Sequence, residues 1–384
     1  MLKVLAGDLS ATFNLDGGHL QRYLQQQTRI AQSLCEQLLL HDQILIPASD
    51  YLAAAGLVLL FGERAVISLL EADQLRFVRL RGLFGFARGE GQDGGLVTFQ
   101  DPLGQRPQDS SVETSIDAAL SLIAEKITDR EKLKQLLLKN THALELSQVI
   151  DIVRDDTISE LRHCALWRSR FEYKHGLLKL PKMEKMQVRV LGPDTDSANN
   201  VVDAFLALAL MNVEIYLVNQ FGCASTSTAS PIGDSLNLKT KRLHLEHPAR
   251  DRVWSFLEIA SVPNLAALTL SDTQKFSDLL ALTRNRNAKV FREWFHSTAN
   301  LSEKQVFAGY IDLLHEIPWV QKAPVKAIRF VLTTAADLCD QSGITGKLAG
   351  AFDTFAVDSL FKGRSAKYFV EDLRTFSGKI GVKK

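Results

Sequence analysis

The stretch from Gln43 to Gln100 constrains this chain most, because its hydrophobic period changes from strand to helix and back to strand. Gln43-Ile-Leu-Ile-Pro47 reads as a short buried strand, Ser49-Asp50 as a helix cap, and Tyr51 to Phe61 as a buried helix closed by Gly62. Ala65, Val66, Leu69 and Leu70 continue as a second helical segment, Asp73-Gln74 turns the chain, and Leu75 to Leu80 is a second strand. Strands joined through a helical crossover pair in parallel, so this stretch predicts an α/β layer.

The flanks extend that layer. Lys3 to Ala6 is a further short strand, and His19 to Leu40 carries Leu20, Tyr23, Leu24, Ile30, Ala31, Leu34, Leu38 and Leu39 at the spacing of an amphipathic helix. Leu83 to Arg88 and Leu96 to Gln100 read as a hairpin across Gly89-Glu-Gly-Gln-Asp-Gly-Gly95. Gly89, Gly91 and Gly94 match G-x-G-x-x-G, but a dinucleotide loop must open a helix whose amides meet the pyrophosphate, and this one opens a strand. The glycines are therefore read as turn residues.

Asp101 to Ser111, rich in Pro, Gln, Asp and Ser, reads as a linker. From Glu113 to about Cys164 the pattern is helical, with Thr128-Asp-Arg-Glu131 as a capping box. Lys185 to Leu191 alternates as a strand, and Val201 to Val218 is an apolar helix interrupted by Asp203, Asn212 and Glu214. That pair is either a second α/β element or an addition to the first sheet. Ala224 to Ser230 is a run of small residues that reads as a flexible loop. Beyond Pro248 helix follows helix, with capping boxes at Ser271-Asp-Thr-Gln274 and Ser302-Glu-Lys-Gln305. The expectation is an α+β protein in three parts: an α/β domain with a small, partly parallel sheet over residues 1–105, a mixed region over 106–245, and a helical domain over 246–384.

Composition narrows the function classes. With 384 residues the chain exceeds what one core usually holds, and 45 Lys and Arg against 44 Asp and Glu leave no global field for nucleic acid or anionic lipid. Cys35, Cys164, Cys223 and Cys339 form no C-x-x-C pair, so neither a zinc ribbon nor a disulfide framework is written here. The N-terminus lacks a signal-peptide core, and the longest apolar run, Tyr51 to Phe61, is about half of what a spanning helix needs. A soluble, cytoplasmic protein with no transmembrane segment is expected.

Several constellations invite chemistry. Asp8 and Asp50 each follow a strand, where ligands gather in open α/β sheets, and with Glu63 or Glu71 such carboxylates could hold Mg²⁺ for phosphodiester hydrolysis. This layout resembles PIN-type nuclease domains over the first part of the chain, which would imply a metal-dependent nuclease. Asp50 serves equally well as an N-cap. His244 and His247 stand three apart, a spacing that chelates Zn²⁺ or Ni²⁺ on a helix, but Pro248 opposes one and surface histidines are the plainer reading. Cys223 reads either as a thiol nucleophile or as a packing residue at the end of the apolar helix. In the helix from Ser271 to His296, Phe276, Leu279, Leu280, Val290, Phe291 and Trp294 share one side and Arg286, Lys289 and Arg292 the other. Those three cations make an anion-binding candidate, although Lys275, Asp278 and Glu293 on the same face also fit an ordinary solvated surface. Pro324 to Cys339 and Leu348 to Phe361 are apolar helices suited to a core, a partner or a membrane surface.

No G-x-S-x-G elbow or Walker P-loop occurs. The leading expectation is a cytosolic interaction or regulatory subunit with a protein partner or self-association. Two alternatives stand beside it. One is a metal-dependent nuclease-like or other phosphate-acting enzyme, using Mg²⁺ and meeting nucleic acid through a local basic patch. The other is an effector whose C-terminal helices dock on a partner or a membrane surface.

Overall fold

The computed structural model describes residues 1–10, 20–48, 50–81, 83–87, 95–99, 110–145, 148–149, 152–153, 189–190, 200–227, 250–260, 262–297 and 366–378. Its strands are β1 Lys3–Ala6, β2 Gln43–Ala48, β3 Leu75–Arg81, β4 Leu83–Ala87, β5 Gly95–Phe99, β6 Thr141–Glu145, β7 Arg189–Val190 and β8 Ser225–Ser227. Five of them form a wholly parallel sheet in the order β6, β3, β2, β1, β8, and β5, β4 and β7 form a small antiparallel sheet. The α+β expectation holds: a small parallel sheet at the N-terminal end is accompanied by helices in the C-terminal region.

The chain divides into two units, Met1–Gln37 with His41–Glu246, and Leu38–Leu40 with His247–Lys384. Strands from both sides of the expected boundary near residue 105 share the parallel sheet, because β6 and β8 flank a core begun by β1, β2 and β3. In the first unit the helices are α1 Leu20–Gln25, α2 Gln27–Leu40 (whose last three residues count with the second unit), α3 Leu52–Phe61, α4 Glu63–Glu71, α5 Val112–Ser121, α6 Arg130–Lys139 and α7 Asn200–Phe221.

The strand, helix and strand expected between Gln43 and Leu80 form within a residue or so of their expected ends, and β2 and β3 pair in parallel from Ile44↔Leu75 to Ala48↔Arg79. Every residue of β2 is buried, which is how a strand with both faces covered reads as a continuous apolar run. Gly62 takes φ 85°, and its amide returns to the Val58 carbonyl at 2.9 Å, so α3 stops where the sequence said it would. The expected hairpin appears as β4 and β5. Its loop lies outside the described residues.

In the first unit four expectations are corrected. The helix from His19 to Leu40 is broken at Gln26 into α1 and α2. Tyr23 in α1 packs its ring against Gly56 of α3 and donates its hydroxyl to the Leu9 carbonyl at 3.1 Å, contacts that fix α1 separately from α2. The helical stretch after Glu113 is interrupted by β6, which pairs with β3 from Phe77↔Thr141 to Arg81↔Glu145. The cap of α6 is Asp129, accepting from the Lys132 amide at 3.1 Å, while the Glu63 carboxylate receives the Thr128 and Asp129 amides at 2.8 and 2.7 Å. The small-residue run at Ala224 supplies β8, which among the described residues ends the sheet and pairs with β1 from Val4↔Ser225 to Ala6↔Ser227.

The second unit holds α8 Arg250–Ile259, α9 Leu265–Ser271, α10 Thr273–Thr283, α11 Arg286–Ser297 and α12 Ala366–Gly378. Its core is aromatic: Phe291 lies 6.0 Å from Phe256, 5.4 Å from Phe295 and 5.2 Å from Phe369 between ring centroids. The single helix expected from Ser271 to His296 is instead α10 and α11. Asn285 turns the chain between them by accepting the Ala288 amide at 2.8 Å, a side-chain cap that ends one helix and starts the next. Among the described residues, no single helix is long and apolar enough to cross a membrane.

Candidate functional site at the carboxyl ends of β1 and β8

The strand order singles out one place in the parallel sheet. From β1 the chain adds β2, β3 and β6 successively on one side and then returns to add β8 on the other. The junction between β1 and β8 is therefore the topological switch point, and ligands of open α/β sheets bind beyond the carboxyl ends of strands at such a point. Gly7, Asp8 and Leu9 form the tight turn that leaves β1 there.

Asp8 is 4% exposed and both of its oxygens are engaged. Ser33 of α2 donates to Oδ2 at 2.6 Å and Ser227 of β8 donates to Oδ1 at 2.5 Å. Ser10 donates to the Pro47 carbonyl at 2.6 Å, tying the turn to the end of β2. On α7, the buried Glu214 bonds through Oε1 to the hydroxyl of Thr226 in β8. Burial pushes the Glu214 carboxyl up to about 8; the Thr226 hydrogen bond opposes that rise and the charge of Asp8 adds to it. Gly7 makes the close packing possible: a Cβ there would lie 3.0 Å from the Ser227 carbonyl and 3.2 Å from Glu214 Oε1. Two carboxyl groups with different hydrogen-bonding roles thus lie beside the end of β1.

Asp50 is in a different network. Its Oδ1 accepts the Leu52 amide at 3.2 Å, a local bond one residue ahead of the N-cap, which is Tyr51 and not Asp50 as the sequence suggested, and the charge that bears on it is that of Arg79. Burial raises its carboxyl above the ordinary range, with the Leu52 amide and then Arg79 opposing. Arg79 is itself buried in β3 and donates to the Ser115 hydroxyl at 2.9 Å and the Ser110 carbonyl at 3.3 Å. Tyr51, at φ 56°, sits between these groups and β6, donating to Thr141 Oγ1 at 2.9 Å. Among the described residues, no three His, Cys, Asp or Glu side chains group as a metal site. Glu63 is occupied by the start of α6, and Glu71 pairs with Lys132 at 2.8 Å.

The cationic trio also separates. Arg286 and Lys289 are exposed, and Lys289 lies 4.0 Å from Glu293. Arg292 is 5% exposed and donates to the Thr283 carbonyl through both terminal nitrogens at 3.1 Å, and to the Leu38 carbonyl at 3.2 Å. It works inside its unit rather than on the surface with the other two. Burial pushes the Cys223 thiol up to about 11, with Lys3 opposing, which is the reverse of what a thiolate nucleophile needs. His244, His247 and the helices expected at 324–339 and 348–361 lie outside the described residues.

Sequence reasoning missed Ser33, Thr226, Ser227 and the part played by Glu214. The one available signal was Glu214 itself, a carboxyl interrupting an otherwise apolar helix. Comparison with family models, with curated proteins and with solved structures finds no match.

Proposed function

We propose that this chain is a cytosolic interaction or regulatory protein. The observation that carries the reading is what the chemically promising residues do. Asp8 is held by Ser33 and Ser227, Asp50 accepts the Leu52 amide, and Arg292 is bonded to carbonyls of its own unit. Each is committed to an internal structural bond, which suits a scaffold better than a reactive centre. The exposed Arg286 and Lys289 give α11 a polar outer face for an acidic protein partner. Native mass spectrometry of protein purified gently from its own cells tests this. A stoichiometric protein complex or a self-assembly is the expected result, and a bare monomer that never captures protein argues against it.

One observation favours a second reading, a phosphate-acting enzyme: Asp8 and Glu214 lie at the sheet's switch point. A side chain that accepts two hydroxyl protons, beside a carboxyl raised by burial, is also the pattern of an acid and base pair. Incubation with a panel of phosphate esters and single-stranded nucleic acid, with and without Mg²⁺, distinguishes the two. Turnover abolished by Asp8→Asn would put the enzyme reading first.

A further inference from the structure

Thr226 has one hydroxyl proton and two oxygen neighbours. Its Oγ1 lies 3.1 Å from the Leu5 carbonyl of β1 and is hydrogen-bonded to Glu214 Oε1 of α7. A carbonyl can only accept, so for both contacts to be hydrogen bonds the second proton must come from Glu214. The resulting chain runs from the Glu214 O–H to Thr226 Oγ1, and from the Thr226 O–H to the Leu5 carbonyl. It ties the helix α7, the edge strand β8 and the central strand β1 together.

We propose that Glu214 is a protonated acid that clamps β8 onto β1, and that loss of its proton to solvent releases the clamp. Once ionised, Glu214 is acceptor-only, and the single Thr226 proton is drawn to the carboxylate. The Thr226 and Leu5 oxygens then face each other with no proton between them, inside a junction too buried to solvate the new charge. Among the described residues packed on α7, no charge compensates Glu214: β1 brings Lys3, but its ammonium donates to the Phe221 carbonyl at 3.2 Å, two turns further along the helix. The turn after β1 presents Asp8, of like sign. β8 presents the Thr226 hydroxyl, and β4, also packed on α7, reads Leu-Phe-Gly-Phe-Ala with no ionisable residue. β8 itself is three residues long, and among the described residues β1 is the strand it pairs with. The device is a proton-controlled edge strand at the switch point.

Hydrogen exchange on the full chain, corrected for intrinsic rates, tests this at peptides covering β8. Protection in the wild type is expected to fall about tenfold per pH unit as pH rises from the ordinary glutamate range to about 8, and then to level off. Glu214→Gln keeps a donor toward Thr226 and carries no titratable proton, so its β8 protection should not change over that range. A wild-type β8 whose protection ignores pH, or a Glu214→Gln chain that loses protection as the wild type does, overturns the proposal. The second measurement needs no variant. With carbon-13 at glutamate Cδ, one resonance of the wild type should titrate near 8 together with the β8 amides. If every glutamate titrates in its ordinary range, the clamp is not protonated and the proposal fails.

Discussion

At the scale of single residues, burial decides what a charge or a glycine is for. Arg286 and Arg292 lie on the same short helix, yet one is exposed and the other is 5% exposed with its guanidinium on two carbonyls. Arg292→Ala leaves those acceptors in a dry environment and should destabilise the second unit by about 1–3 kcal/mol. Arg286→Ala should stay within about 0.5 kcal/mol, as surface changes usually do. Urea denaturation of both variants checks the contrast, and equal effects would mean Arg292 is not bonded as described. Gly56 is a second case. A Cβ there would sit 2.3 Å from the Tyr23 ring, which is buried and held by its bond to Leu9. Gly56→Ala must push that ring aside and should cost about 1–3 kcal/mol despite improving helix propensity. Pairing it with Tyr23→Leu should recover part of the loss if the clash is the cause.

Among the elements, short polar contacts hold what apolar burial alone does not specify. The corner between α10 and α11 is built by Asn285, whose side chain caps α11 at the Ala288 amide. Asn285 and Asn287 also both donate to Asp372 Oδ2 of α12, at 3.2 and 3.1 Å. Asn285→Ala therefore removes a cap and an interhelix bond, and should cost more than the ~1 kcal/mol of a lost cap alone. A double-mutant cycle with Asp372→Ala measures the shared part, with coupling of at least about 0.5 kcal/mol expected and none if the two side chains act independently. β8 shows the same principle in a strand. Its serines face His41, where Ser225 Oγ lies 3.1 Å from Nε2, and Asp8, where Ser227 donates. Small hydroxyl side chains fit that narrow polar seam beside β1 and satisfy groups that apolar residues would leave bare.

On the scale of the whole molecule, the buried carboxyl groups set how stability follows pH. Glu214 has its folded value raised to about 8, so the folded state holds a proton that the unfolded chain gives up in the ordinary range. Its contribution is fully present below that ordinary range and is lost as pH rises through about 8, with a slope of at most ~1.4 kcal/mol per pH unit. His142 works in the opposite sense: burial and then Arg76 lower it, so its contribution grows as pH rises and is complete by neutrality. Raising Cys223 acts only at higher pH, above the ordinary thiol value. Between neutrality and about 8, Glu214 therefore dominates this set of shifted groups. The denaturation midpoint of the first unit should fall over that interval in the wild type and stay nearly level in Glu214→Gln. Circular dichroism during denaturant titrations at several pH values reads this directly, and a midpoint that rises would reverse the sign argued here.

By itself the sequence determined the alternation that builds the sheet. The apolar run of β2, the Gly62 stop of α3 and the position of β3 follow from local periodicity and steric preference, which act over a few residues. The α/β layer and the helical nature of the C-terminal region were legible for that reason. Tertiary structure alone decided that β6 and β8 join the same sheet, since Thr141–Glu145 and Ser225–Ser227 carry no strong local strand pattern and become strands by pairing with β3 and β1. It also decided the site. Asp8 could be picked out because it follows a strand, but its partners Ser33 and Ser227 lie 25 and 219 residues away. Glu214 becomes a buried acid because the return of the chain brings α7 and β8 back against β1. Desolvation and hydrogen-bond partnership are properties of a place in the fold, and a linear pattern does not contain them.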